Sequence, residues 1–149
     1  MNEEMKQALE IVSIRILEDA AFLFVERADE AARPGPGWKA AGAQLRWTGP
    51  REGTMRVWAE PSLLRVLSAN MLGIEEDEPA AATAGPDALR EVLNMVVGNC
   101  LTEAWGPGPV FHLEVPEEAD PDLLSEDAEN GFWILAEDRP MLFRCGGSP

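Results

Sequence analysis

The chain has 149 residues, 46% of them apolar, a length that suits one domain (residues 1–149) and an apolar share that excludes wholesale disorder. Its 27 Asp and Glu against 12 Lys and Arg give a net charge of −15, which works against binding nucleic acid or an anionic membrane surface. No apolar run approaches the ~20 residues that span a bilayer, and the opening Asn2-Glu3-Glu4 carries the wrong charge for a secretory signal, so a soluble cytoplasmic protein is expected.

Residues 5 to about 26 predict a long helix, with Met5, Leu9, Val12, Ile16, Ala20 and Leu23 as its buried stripe. Arg33-Pro-Gly-Pro-Gly37 stops any helix. Residues 43–47 and 54–60 alternate as strands do, with 49–53 as the turn between them. Residues 61–72 have helical periodicity, opening on Pro61 and closing at Gly73. An acidic, alanine-rich linker is expected through Ala82, and Gly85-Pro86-Asp87 then offers a helix start with Asp87 as the N-cap.

The next helix ends before Gly106-Pro-Gly-Pro109. Residues 110–115 predict a strand with Phe111, Leu113 and Val115 on one face, and 131–136 with 140–145 predict a hairpin around residues 137–139. The acids at 75–78 and between Glu117 and Glu129 read as solvated loops. Five strands with long helices between them imply an α+β fold: an antiparallel sheet with two long helices packed on one face.

The helix over residues 88–102 carries the sharpest signal. At about 100° per residue, Leu89, Leu93, Val96, Val97, Cys100 and Ala104 share one stripe, while Glu91, Asn94 and Gly98 fall on the other side. Glu91 and Asn94 are one turn apart, so both can meet the same target. Gly98 continues their row as bare backbone, although glycine weakens a helix interior by roughly 1 kcal/mol relative to alanine. A weak internal repeat accompanies this helix, because residues 16–22 superpose on 89–95. The superposition pairs Glu18 with Glu91, Ala21 with Asn94, Phe22 with Met95 and Val25 with Gly98. The first copy keeps the carboxylate and lacks the amide. Its outer face, with Ile11, Ile14, Phe22 and Val25, is apolar and expected to be covered by protein.

Glu91-Val-Leu-Asn94-Met95-Val-Val-Gly98-Asn99 fits the pattern E-x-x-N-M-x-x-G-N. With the short helix ending in Met71-Leu72-Gly73 upstream and the strand ending at Pro116 downstream, the chain resembles the CheX branch of the CheC/CheX/FliY phosphatase family of bacterial chemotaxis. The resemblance implies a pseudo-duplicated α+β fold and removal of the phosphoryl group from the aspartate of a CheY-type response regulator, with no cofactor of its own and Mg²⁺ held by the receiver. It implies that Asn94 orients a water in line with phosphorus and that Glu91 pairs with a receiver lysine. Met95 and Gly98 would contact the partner, Gly98 by letting its surface come close to the helix. Ala21 in place of an asparagine implies one active face per chain, and members of the family can dimerise through sheet edges. Phosphoryl transfer has a loose transition state and is catalysed mainly by positioning and electrostatics, so an amide suffices without a nucleophile on this chain. The sequence leaves two functional classes open: a phosphatase, and a domain of the same family that binds without hydrolysing.

Other residues carry less. His112 has no acid or nucleophile near it in sequence and reads as structural or exposed. Residues 120–127 resemble a calcium loop only superficially, since leucine at the fifth position and serine at the turn break the pattern. Cys100 and Cys145 form no CxxC pair, and Cys100 lies on the buried stripe. Trp58 and Trp133 are expected on strand faces opposite Val57 and Ile134, covering a second sheet face or marking a subunit interface. Asn99 sits at the edge of the motif face and reads as supporting structure.

Overall fold

The structure is a computed structural model and describes residues 2–146. Helix α1 (Glu3–Ala21) is capped by Asn2, whose side chain accepts a hydrogen bond from the Met5 N–H. It buries Met5, Ala8, Leu9, Val12, Leu17 and Ala21. The helix stops five residues short of the expected end. Phe22 turns left-handed (φ 55°), and the chain enters strand β1 (Val25–Arg27), which pairs with a later strand. No glycine or proline marks that stop. A left-handed non-glycine residue costs roughly 1 kcal/mol or more, and here it returns Leu23 and Val25 to the core.

Strands β2 (Ala41–Thr48) and β3 (Gly53–Ala59) form the expected hairpin. Helix α2 (Pro61–Leu72) runs as read from sequence, with proline in its first turn and Gly73 closing it at φ 70°. The expected linker instead contains a short helix α3 (Pro79–Thr83), pinned because Ala81 is buried and the Ser68 hydroxyl donates to its carbonyl. Helix α4 (Gly85–Trp105) follows, and its N-cap is Ala84 rather than Asp87. Asp87 lies within the first turn, where its carboxylate favours the helix dipole and accepts from Arg90 at 2.9 Å.

The expected strand over 110–115 shrinks to β4 (His112–Leu113), followed by β5 (Glu117–Glu118). Both pair with β2, in registers that differ by one residue. Leu113 stands opposite Trp47, and the Glu114 N–H continues that register to the Arg46 carbonyl; Glu117 then stands opposite Gln44. Val115 and Pro116 therefore share the single position opposite Leu45, which makes a β-bulge. Helix α5 (Leu124–Asn130) leads into β6 (Phe132–Ala136) and β7 (Arg139–Gly146), joined by a turn with positive φ at Glu137 and Asp138, the geometry that suits a two-residue hairpin.

The strands make one antiparallel sheet in the order β1-β6-β7-β3-β2-β4, with β5 also on β2. Helices α1 and α4 pack side by side over one face, and α4 also packs on α2, β2 and β3. The opposite face is not bare. Trp58, Trp133 and Leu142 are buried there beneath Trp38, Leu123, Leu124 and Ala128, so both tryptophans close a second, smaller core. Asp127 corrects the reading of residues 117–129 as solvated loops throughout, because it is fully buried. Its carboxylate accepts from Arg56 Nε at 2.7 Å, Arg56 Nη2 at 2.9 Å and Trp58 Nε1 at 2.9 Å. The Asp127 hydrogen bond raises the Arg56 pKa against the opposing effect of burial. Among the described residues no helix is long and apolar enough to cross a membrane.

Candidate functional site

Helix α4 is held as a rigid platform. Leu89, Val92, Leu93, Val96, Val97 and Cys100 are buried against the sheet and the neighbouring helices. Each of these leucine and valine side chains contributes about 1.5–3 kcal/mol when fully buried, so rotating the helix about its axis is costly. The rotation that buries this stripe turns Glu91 and Asn94 to the exterior, and both are exposed. Among the described residues neither side chain makes a hydrogen bond within the chain, so a carboxylate and an amide stand free one turn apart.

Met95 and Gly98 are half-buried beside them. A Cβ built on Gly98 would find its nearest neighbour, Leu113 Cδ2, at 4.0 Å, which is ordinary contact. The fold of this chain therefore gives no steric reason for glycine there. Asn99 is turned back onto the helix, with its amide donating to the Met95 carbonyl at 2.7 Å. That side chain serves the helix and leaves the outward face to Glu91 and Asn94.

Across from α4, residues Leu113–Pro116 form the second wall of a shallow cleft of about 350 Å³, whose other wall is Asp87, Arg90, Glu91 and Asn94. The expectation of one regular strand over residues 110–115, with Phe111, Leu113 and Val115 on one face, does not reveal this wall. Phe111 and Leu113 do pack on the core, but Val115 is 87% exposed. The available signal was Pro116, which cannot extend a regular ladder. His112 is exposed. Among the described residues no group of His, Cys, Asp or Glu is arranged to hold a metal ion.

The degenerate copy on α1 differs by more than one side chain. Glu18 is exposed, but Ala21 is fully buried as the last helical residue, and Val25 belongs to β1 rather than to the helix. Its apolar face is also less covered than expected, with Ile11 52% and Phe22 71% exposed.

The model of the family "Chemotaxis phosphatase CheX" matches residues 41–135, a span that holds the whole motif helix and both walls of the cleft. The chain belongs to the CheX family. No curated protein is similar in sequence at a significant level. Solved structures share the CheX-type fold at low identity. A putative chemotaxis protein from Desulfovibrio vulgaris Hildenborough is 17% identical, with a TM-score of 0.71 over 97% of each chain. The chemotaxis protein CheX of Desulfovibrio desulfuricans is 14% identical, with a TM-score of 0.67 over 97% of this chain and 99% of that one. CheX in the CheX–CheY–BeF₃–Mg²⁺ complex of Borrelia burgdorferi is 14% identical, with a TM-score of 0.68 over 95% of this chain and 96% of that one. These likenesses agree with an α+β fold built on an antiparallel sheet with helices packed over it.

Proposed function

We propose that this CheX-family chain hydrolyses the aspartyl phosphate of a CheY-type receiver domain, with Asn94 positioning the attacking water and Glu91 holding the receiver. The observation that carries the reading is the pair of free polar tips on α4, fixed in orientation by a buried stripe and flanked by an uncrowded glycine. The family name and the CheX–CheY complex from Borrelia burgdorferi support the reaction class and the partner.

The chemistry asks little of this chain beyond geometry. An amide both donates and accepts, so Asn94 can orient one water without being a strong base. The water oxygen forms a bond to phosphorus as the bond from phosphorus to the aspartyl oxygen breaks. The carboxylate leaves with the bonding electron pair, and the water protons pass to the released phosphate and to solvent. Holding a reactant in line removes entropy from the barrier before reaction, which is the main lever available to a side chain of this kind. Glu91 supplies a carboxylate for a lysine of the receiver, and its charge-assisted hydrogen bond fixes the approach of the two domains. Mg²⁺ belongs to the receiver and supplies charge neutralisation at the phosphoryl oxygens.

The test mixes the protein with phosphorylated receivers and follows loss of the phosphoryl group. Acceleration by the wild type, abolished in Asn94→Ala with binding retained, is the expected result, and Glu91→Ala should mainly weaken binding. Binding to a phosphorylated receiver without acceleration would assign the chain to the non-hydrolysing class instead. Equal decay with and without the protein, across the receivers of its organism, would defeat the phosphatase reading.

A further inference from the structure

The bulge at Val115–Pro116 has no evident role within this chain. Val115 is 87% exposed, although Leu113 two residues before it and the adjacent Pro116 are half-buried. The registers of β4 and β5 differ by one residue at this point, so the chain carries an extra residue that re-aims the local side chains. Bulges of this kind occur preferentially at sheet edges and next to active sites. Pro116 has no N–H to offer an added strand, which argues against extension of the sheet here by a second copy.

The bulge is also continuous with the motif face. It forms one wall of the cleft whose other wall holds Glu91 and Asn94. Leu113, two residues before Val115, packs on the core and reaches toward Gly98, which sets this wall beside α4. The cleft rim carries Asp87, Glu91 and Glu114 against Arg90 alone, a balance that suits a partner presenting a cationic side chain next to apolar surface.

We infer that Val115 is a docking residue for the receiver, seating its aliphatic side chain on apolar receiver surface beside the phosphorylated aspartate while Glu91 and Asn94 enter from the opposite wall. The inference rests on the receiver-docking part of the proposed function and adds the second contact that orients the partner. Val115 touches no reacting atom, so its contribution belongs to affinity and approach, not to the chemical step.

The experiment compares wild type, Val115→Ser and Val115→Ile with a phosphorylated receiver, measuring KM and kcat. Affinity for the same receiver loaded with beryllofluoride and Mg²⁺ is measured in parallel. Val115→Ser should raise KM and the dissociation constant roughly tenfold, about 1.4 kcal/mol, with kcat within a factor of about two. Val115→Ile should restore wild-type values, and all three proteins should melt alike because the position is exposed. Acceleration by wild type with the same KM in Val115→Ser would overturn this inference and leave the phosphatase reading standing. Binding that depends on Val115 without any acceleration would do the reverse. Failure of the wild type to bind any receiver would remove both.

Discussion

Replacing Gly98 by alanine separates what this fold needs from what its partner needs. In a helix interior glycine is less favourable than alanine by about 0.8–1 kcal/mol, and Gly98 sits well inside α4. The added methyl would meet Leu113 Cδ2 at 4.0 Å and nothing closer, so no clash offsets the gain. Gly98→Ala should therefore be more stable than wild type by up to about 1 kcal/mol, which for a chain of this size raises the melting temperature by roughly 2–4 °C. The same methyl would stand between α4 and a closely docked receiver. Overpacking of a close interface costs about 1–3 kcal/mol, so kcat/KM for receiver dephosphorylation should fall by roughly 5- to 150-fold. Thermal melting and a receiver dephosphorylation assay on the same preparation read both effects. A lower melting temperature would show that the fold itself requires the glycine. A higher one with undiminished activity would show that no surface approaches the helix there, and the reasoning from bare backbone to partner contact would fail.

Three further expectations concern the rest of the molecule. Asp127→Ala removes the acceptor for Arg56 and Trp58, leaving a poorly hydrated guanidinium and a buried indole N–H; it should cost about 3–5 kcal/mol in urea unfolding and loosen the segment around α5 without touching the motif face. Burial raises both thiols, Cys145 to about 11 and Cys100 further, with the neighbouring Cys145 adding to the shift. Neither should react with iodoacetamide in the native protein at pH 8, whereas both should in urea. Because an unfolded thiol loses its proton near pH 8.5–9 while the native Cys145 keeps it to about 11, the native state binds more protons in that interval. Stability should then fall as pH rises from about 9 to about 11, read as a shift of the urea midpoint, and a flat profile would contradict the burial argument.

What the sequence by itself determined is whatever short-range patterning fixes. The stripe of α4, the proline start and glycine stop of α2, and the β2–β3 and β6–β7 hairpins all follow from spacing within about twenty residues. The same spacing put Glu91 and Asn94 on one outward row. Other features depended on partners remote in the chain. Helix α1 ends at Ala21 because the residues beyond it pair with β6, more than a hundred positions away, and that pairing outweighs a helical pattern continuing to residue 26. Asp127 looked like one more acid in a solvated run until β3 brought Arg56 and Trp58 to it. Alternation sets Val115 on the face of Phe111 and Leu113 because it carries no information about a bulge, which appears only when β4 and β5 are both laid against β2. Periodicity records which side of an element is apolar; only the packed sheet decides where each element stops and which of its side chains is left outside.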